Sequence, residues 1–429
     1  MAYVKEEQEN KSGRPITFAF NGGPGAASIY LHLGALGPKR VLFTEEGKAL
    51  PPPYKLVENA YTWLDLTDIV FIDPVGTGYS CAAPGEDPKQ FWGVQEDIES
   101  IGAFIRLYLT RNQRWLSPKF IVGESYGTTR AAGLSSHLQN KLGIHFNGIV
   151  LISEALNFQA IVFTSGNDLP YLLFLPTYTT TAWYHKKLSP ELQSNLQKTL
   201  EVAEQFALNE YVLALAQGNL LSDVERDKIV EKLANYSGLQ KHYIQNSNLR
   251  IRRDGFRNEL LRNEHRRIGI LDSRITGGYT PRDFVEDPSV FEATGPLVAT
   301  WNDYVRKELK YENDLPYEFL SMKVNQSWNW GSGTGGLGYV NVAETLQRAM
   351  SENKYLKVFI ASGYYDLDTP YFATKYIVNH LGLDPSLRKN ITLSYYDAGH
   401  QMYTHLPSLK KLKADAATFF EKALPKLKN

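Results

Sequence analysis

Residues 120–127 have the sequence Phe120-Ile121-Val122-Gly123-Glu124-Ser125-Tyr126-Gly127, which contains the pattern Gly-x-Ser-x-Gly. An apolar run that is typical of a β-strand precedes the pattern, and the residues that follow it, 128–138, suit a helix. In a strand–turn–helix of this kind the serine lies in a strained turn with its hydroxyl above the sheet, where bulky neighbours would clash. Ser125 could instead be a simple helix N-cap, but the strand and helix around it favour a catalytic nucleophile.

Five further apolar runs are similar to the one before Ser125. They cover residues 16–20, 68–73, 148–152, 356–361 and 391–396. Nearly continuous apolar strands of this length are typical of a parallel sheet that is buried on both faces. Between the runs, apolar residues recur at helical spacing, for example at Ile98, Ile101, Ile105 and Leu109. The alternation predicts an α/β fold with a mostly parallel sheet, and the pattern around Ser125 makes it an α/β-hydrolase core.

The middle of the chain lacks this alternation. Residues 164–338 contain helix-like segments, such as 188–221 and 224–243, but no comparable series of strands. We therefore predict three blocks: a first α/β-hydrolase core block at residues 1–163, a mostly helical cap insertion at 164–338, and a second core block at 339–429. The glycine-rich run at 331–338 is predicted to be a flexible connector, since it lacks the Gly-Lys-Ser/Thr ending of a phosphate-binding loop.

Composition excludes several kinds of function. Lys and Arg together number 46, as do Asp and Glu, so the chain has no net charge with which to attract nucleic acid. No stretch approaches the roughly 20 apolar residues that a membrane-spanning helix needs. The single cysteine, Cys81, cannot form an intrachain disulfide. No spacing of His, Cys and acidic residues indicates a metal site, and no cofactor is expected.

A nucleophilic serine needs a base and an acid, which in this fold follow it in the order acid, then histidine. His400 lies in the loop that follows the last predicted strand, where a sheet-end loop would deliver it to the site, and His405 is its only nearby competitor. The loop after strand 356–361 offers Asp366 and Asp368 as the acid. We favour Asp366, because Asp368 could instead cap the helix that Pro370 begins, but both remain open.

Hydrolysis also needs backbone N–H groups that bind the negatively charged oxygen of the intermediate. The first is expected from Tyr126, directly after the nucleophile. The second is expected from the glycine-rich loop Asn21-Gly22-Gly23-Pro24-Gly25, which follows the first predicted strand and can turn its N–H groups into the site.

Taken together, these segments resemble the serine carboxypeptidases. The matching segments are 21–25, 73–80, 123–127 and 398–400, and they run through both core blocks in the family's order. Their amino-acid sequences are most similar to the bacterial-type branch of the family. The resemblance implies that Ser125 is the nucleophile, His400 the general base and Asp366 its orienting acid. It also implies that the amides of Gly23 and Tyr126 form the oxyanion hole.

The resemblance further implies a peptide substrate whose free C-terminal carboxylate is bound by Asn21, Gly22 and Glu124. A glutamate beside a carboxylate disfavours two negative charges, so one of the pair should hold a proton and binding should be favoured at acidic pH. We therefore expect a serine carboxypeptidase that works through an acyl-enzyme. The alternative is a related acyltransferase or esterase on non-peptide acyl groups, which only residues of the cap would distinguish. A non-catalytic scaffold is disfavoured, because a pure binding protein does not need a complete catalytic triad.

The chain departs from the family pattern at three positions. Phe20 stands where many relatives have Trp, Ala26 where they often have Cys, and Ala35 where they carry a second glutamate that supports the first. The resemblance also implies an exported protein, periplasmic or secreted, whose signal segment and first strands lie outside this sequence. The oligomeric state is left open, with a homodimer as one option.

Overall fold

The computed structural model describes residues 1–5, 13–278, 287–331 and 339–424. Its strands are β1 (Ala2–Tyr3), β2 (Ile16–Phe20), β3 (Lys39–Val41), β4 (Leu56–Glu58), β5 (Asp68–Phe71), β6 (Lys119–Ser125), β7 (Gly148–Glu154), β8 (Arg266–Ile268), β9 (Thr276–Gly278), β10 (Lys357–Gly363) and β11 (Ile391–Tyr396). Seven of them form one sheet in the order β1-β5-β2-β6-β7-β10-β11. Every pair in this sheet is parallel except β1 with β5. The predicted α/β fold with a mostly parallel sheet is confirmed.

Helices surround this sheet. They are α1 (Ile29–Leu31), α2 (Val94–Arg111), α3 (Tyr126–Leu142), α4 (Leu169–Tyr184), α5 (Pro190–Gln193), α6 (Leu196–Phe206), α7 (Val212–Gln217), α8 (Asp223–Ser237), α9 (Lys241–Asn246), α10 (Arg253–Glu259), α11 (Pro288–Lys307), α12 (Met322–Gln326), α13 (Ala343–Glu352), α14 (Tyr371–Asn379), α15 (Pro385–Arg388) and α16 (Leu406–Ala423). None of the described helices is both long enough and apolar enough to cross a membrane.

Both faces of the sheet are buried, because alternate side chains of each strand point in opposite directions. On one face, Ile121 of β6 belongs to the same hydrophobic cluster as Leu134 of α3. On the other, Phe120 and Val122 belong to a second cluster, in which the Phe120 ring stacks on Phe420 of α16 at 4.1 Å between ring centroids. This two-sided packing explains why the strands are continuous apolar runs and not alternating ones.

Between β7 and β10 the described chain adds no strand to the large sheet. This stretch contains α4 to α13 and an antiparallel pair of short strands, β8 and β9, which the sequence analysis did not predict. The division into blocks 1–163, 164–338 and 339–429 stays a prediction. Residues 332–338, most of the predicted connector, lie outside the described residues.

The topology places four chain segments at one edge of the sheet. β2, β6, β10 and β11 are parallel, and each is followed by a segment that carries predicted site residues. Because the carboxyl ends of parallel strands share one edge, the segments after them meet there.

Candidate active site

Ser125 lies at the sharp junction between β6, which ends at this residue, and α3, which begins at Tyr126. Its backbone φ is +59°, a conformation that residues other than glycine adopt at a cost. The flanking glycines leave no room for a side chain. A Cβ at Gly123 would lie 2.2 Å from the carbonyl oxygen of Gly127, and one at Gly127 would lie 2.9 Å from the carbonyl oxygen of Phe20. The turn therefore requires glycine at both positions and presents Ser125 at the edge of the sheet.

His400 lies in the loop between β11 and α16 and is buried. Its Nδ1 is 2.7 Å from Oδ2 of Asp366. The Asp366 carboxylate also accepts hydrogen bonds from the backbone N–H groups of Asp368 and Thr369, at 2.8 and 2.9 Å, and from the Thr369 hydroxyl at 2.7 Å. These donors fix the carboxylate in place, so that it can orient the imidazole.

Two opposing effects act on the pKa of His400. Burial lowers it, but the charge of Asp366 and its hydrogen bond outweigh burial and hold the pKa above its ordinary value of 6.5. The charges of Asp368 and Glu124 act in the same direction as Asp366. Asp366 therefore stabilises the imidazolium, which is the form that His400 reaches when it accepts a proton.

The structure brings Asp366 and His400 together and gives the competing residues other partners. Oδ1 of Asp368 accepts a hydrogen bond from Nη1 of Arg253 at 2.7 Å. Nδ1 of His405 lies 2.8 Å from the Ser408 hydroxyl. The carboxylate that contacts the His400 ring is therefore the one favoured from the sequence.

Two cavities meet at Ser125. The first, of about 240 Å³, is lined by Ser125, His400, Glu124, Asn21, Gly22 and Gly23 among others. The second, of about 330 Å³, shares Ser125 and Gly23 with the first and is also lined by Tyr126. Among the described residues none is hydrogen-bonded to the Ser125 hydroxyl, and catalytic hydrogen bonds are often long before substrate binds. Within the described ranges, no three His, Cys, Asp or Glu side chains are grouped so as to hold a metal ion.

The loop that contains Gly22 and Gly23 lies directly against the start of α3. A Cβ at Gly22 would lie 2.4 Å from the backbone nitrogen of Tyr126, so only glycine allows this approach. Gly23 has a φ of +99°, which turns the loop back toward Ser125. The N–H of Tyr126 is in the first turn of α3, where helical hydrogen bonding leaves it free. The loop and the helix start thus place the two predicted oxyanion donors, Gly23 and Tyr126, beside the nucleophile.

Glu124 is a buried carboxyl group in the first cavity, with 3% of its surface exposed. Burial raises its pKa from 4.5 to about 7, while the charge of His400 and hydrogen bonding to Tyr403 and Asn21 act against this rise. Among the described residues, its Oε2 has no hydrogen-bond partner at normal geometry. Asn21 is held in place beside it, because its Oδ1 accepts the N–H of Leu31 at 3.1 Å. The wall of the first cavity therefore contains a buried carboxyl group whose Oε2 has no partner of normal geometry in the described part of the chain.

Tyr403 is a residue of this site that the sequence analysis missed. Its ring is fully buried, and its hydroxyl is close enough to the Glu124 carboxyl to lower the pKa of that group, although the two form no hydrogen bond of normal geometry. A Cβ at Gly34 would lie 2.4 Å from the Tyr403 ring, so this glycine makes room for it. The neighbouring Ala35, which stands where many members of the resembled family carry a second glutamate, is also fully buried. The only sequence signal was that Tyr403 follows His400 by three residues.

Comparisons with known proteins agree with this architecture. The family model for serine carboxypeptidases matches residues 2–413. Serine carboxypeptidase-like 20 of Arabidopsis thaliana is 27% identical over 167 residues, which are 38% of this chain and 31% of that protein. Serine-type carboxypeptidase F of Aspergillus niger is 34% identical over 106 residues, or 22% of this chain and 18% of that protein. The matched segments thus span about a third of the curated relatives' length, or less.

A solved structure supports the fold. The prohormone-processing carboxypeptidase Kex1 of Saccharomyces cerevisiae aligns with 100% of this chain and 87% of its own, with a TM-score of 0.56 and 15% identity. A likeness at this identity indicates a shared fold. Because the family model covers nearly the whole sequence, this chain belongs to the serine carboxypeptidase family.

Proposed function

We propose that this chain is a serine carboxypeptidase that removes C-terminal residues from peptides through an acyl-enzyme on Ser125. The observation that carries the proposal is the shared cavity, in which Ser125 and His400 lie together with the buried carboxyl group of Glu124. The first two are the parts of a serine hydrolase, and the third is suited to recognise a carboxylate at the end of the substrate.

In the proposed reaction, His400 takes the proton of the Ser125 hydroxyl as the oxygen attacks the last peptide carbonyl of the substrate. Asp366, at 2.7 Å from Nδ1, stabilises the imidazolium that forms. The N–H groups of Gly23 and Tyr126 stabilise the oxyanion of the tetrahedral intermediate. His400 then protonates the leaving amine, and the C-terminal residue departs. A water molecule, deprotonated by His400, hydrolyses the acyl-enzyme.

Recognition of the substrate carboxylate depends on a proton held by Glu124. With a pKa of about 7, Glu124 is protonated in mildly acidic solution, whereas a peptide carboxylate is ionised above pH of about 4. The Glu124 hydroxyl can then donate a hydrogen bond to the carboxylate, next to the amide of Asn21. Above pH 7 both groups carry a negative charge and repel each other, so the affinity for substrate should fall.

The two cavities separate the two sides of the scissile bond. The cavity that holds Glu124 receives the leaving residue, and its other walls include Val290, Ala293, Leu320 and Met322. The second cavity receives the acyl side and is lined by Phe158, Ile161, Val162 and Phe163. These apolar residues favour apolar side chains on the substrate, although the wall of the second cavity also contains Arg252, Arg253, Asp254 and Asp368.

The test compares N-blocked dipeptides that differ only in a free or an amidated C-terminus. We expect kcat/KM for the free acid to be higher by roughly 100-fold or more at pH 5 to 6, because the amide leaves the buried Glu124 carboxyl poorly matched. Equal cleavage of both substrates would refute carboxylate recognition. If Ser125→Ala retains full activity, the catalytic assignment as a whole is refuted.

A further inference from the structure

The segment 270–274 contacts both loops that carry His400 and Asp366. The N–H of His400 donates to the carbonyl oxygen of Leu271 at 2.6 Å. On the acid loop, Leu367 donates to the carbonyl oxygen of Ile270, and Ser273 donates to that of Tyr365, both at 2.9 Å. Three backbone hydrogen bonds thus join this segment, which lies far from both loops in sequence, to the two catalytic loops.

An ion pair inside the segment extends this connection to the residues just before His400. Oδ2 of Asp272 accepts the N–H of Gly399 at 3.1 Å and a hydrogen bond from Nη2 of Arg274 at 2.6 Å. Nη1 of Arg274 donates to the carbonyl oxygen of Asp397 at 2.9 Å. A Cβ at Gly399 would lie 2.6 Å from Cα of Asp272, so the two chains are in direct contact. The pair therefore holds residues 397 and 399 from one side.

Energetics favour a role for this pair beyond stability. The side chains of Asp272 and Arg274 are 12% and 7% exposed, so both charges have lost most of their hydration. The attraction within a buried pair often only balances the loss of hydration, and an apolar pair of similar volume is frequently as stable. What the pair provides that an apolar pair would not is directional hydrogen bonds to the loop that ends at His400.

We propose that Asp272 and Arg274 are positioning residues that fix the loop of His400, so that its imidazole faces both Ser125 and Asp366. The inference rests on the proposed catalytic function of His400. Neither side chain touches the reacting atoms, and their effect passes through the backbone of residues 397–400. A displacement of about 1 Å, caused by a mutation away from the reacting atoms, can cost roughly 100-fold in rate.

The test measures how fast a fluorophosphonate labels Ser125, followed by mass spectrometry. In this reaction the serine oxygen bonds to phosphorus, fluoride leaves, and the serine proton passes to His400. The variant combines Asp272→Asn with Arg274→Met, which removes both charges together and leaves neither of them buried alone. We expect labelling to be roughly 10- to 100-fold slower than in the wild-type protein, with kcat reduced similarly and KM little changed.

A matched control combines Asp168→Asn with Arg250→Met. This second ion pair, with Nη2 of Arg250 at 2.7 Å from Asp168, has no hydrogen bond to the loops of His400 and Asp366 among the described residues. Its labelling rate should equal that of the wild-type protein. If the double variant of Asp272 and Arg274 folds and is labelled as fast as the wild-type protein, the inference is overturned.

A second variant keeps the inference testable if the double variant does not fold. Arg274→Lys retains the charge opposite Asp272, but its single ammonium group cannot reproduce the contacts to both Asp272 and Asp397. We expect slower labelling in this variant as well, and an unchanged rate would refute the positioning role. Labelling does not require a peptide substrate. If the free and amidated dipeptides are cleaved alike, the carboxypeptidase proposal fails while the positioning role is still decided by the labelling rate.

Discussion

Replacement of Glu124 by glutamine should change the free energy of unfolding in a way that depends on pH. The difference between the variant and the wild type should favour the variant more at alkaline pH than at acidic pH. In the folded protein burial raises the pKa of Glu124 from 4.5 to about 7. The folded state therefore binds this proton more tightly than the unfolded state, and the wild-type protein loses stability as the pH rises from 4.5 to 7. Glutamine resembles the protonated acid and does not titrate, so the variant should lack this loss.

The size of the effect follows from the two pKa values. Each pH unit between 4.5 and about 7 corresponds to about 1.4 kcal/mol, which amounts to about 3 kcal/mol once both states are ionised. Part of this loss has already occurred at pH 5. The difference in unfolding free energy between Glu124→Gln and wild type should therefore be about 2 to 3 kcal/mol more favourable to the variant at pH 8 than at pH 5.

Urea unfolding at pH 5, 6, 7 and 8 would measure this difference. Glu154, at the end of β7, provides the matched control, since burial also raises its pKa to about 7. It lines neither of the two cavities that meet at Ser125. Glu154→Gln should show a similar pH-dependent gain in stability, with KM for the free-acid dipeptide still rising as the pH passes 7. In Glu124→Gln that rise should be absent.

Two results would refute the reasoning. If the stability difference between Glu124→Gln and wild type is the same at pH 5 and pH 8, then Glu124 does not hold a proton with a raised pKa. If stability changes as expected but KM keeps its wild-type pH dependence, then Glu124 is a buried acid that does not contact the substrate carboxylate. The two measurements thus separate the electrostatics of the folded chain from recognition of the ligand.

Further predictions concern the nucleophile, its acid and the acyl-side cavity. Ser125→Ala should reduce kcat by roughly 10⁴-fold or more without changing the circular dichroism spectrum. A variant that turns over substrate as fast as the wild type would contradict the assignment. Asp366→Asn should lower kcat by roughly 10⁴-fold because the imidazole would adopt the wrong tautomer. Asp368→Asn should lower kcat much less, since Asp368 pairs with Arg253. If Asp368→Asn lowers kcat more than Asp366→Asn does, then Asp368 and not Asp366 is the acid that orients His400. Ile161→Ala should lower kcat/KM roughly tenfold for dipeptides with a large apolar acyl-side residue, and equal losses for glycine there would refute the pocket assignment.

The fold could be predicted as far as its elements are formed by local sequence patterns. The strands at 16–20 and 391–396 agree with β2 and β11, because a strand buried on both faces needs a continuous apolar run. β1 and the pairs β3–β4 and β8–β9 were missed because these strands are only two or three residues long, and β8 begins with Arg266 and Arg267. Such short strands are held by tertiary contacts and carry no periodic pattern.

The site could be predicted where a residue type and its place after a strand both constrain the chemistry. On this basis the sequence singled out Ser125 and His400 as candidates and narrowed the choice of acid to Asp366 and Asp368. The choice between these two required the position of Arg253, which comes from α10, more than 100 residues away. The proposed role of Asp272 and Arg274 was equally hidden, since it depends on contacts with residues 397 and 399. Contacts of this kind leave no local signal in the sequence.

The structure also bears on the missing second glutamate. Ala35 cannot raise the pKa of Glu124 by charge repulsion, yet that pKa is still held at about 7, because burial is the largest cause. The Tyr403 hydroxyl, which lies near Glu124, is a neutral hydrogen-bond donor, and it lowers the pKa only in part. Binding of the substrate carboxylate should then depend on the proton of Glu124 alone, and not on a proton shared between Glu124 and a second glutamate. We therefore expect the preference for acidic pH to survive without the second acid and to end in one titration step near pH 7.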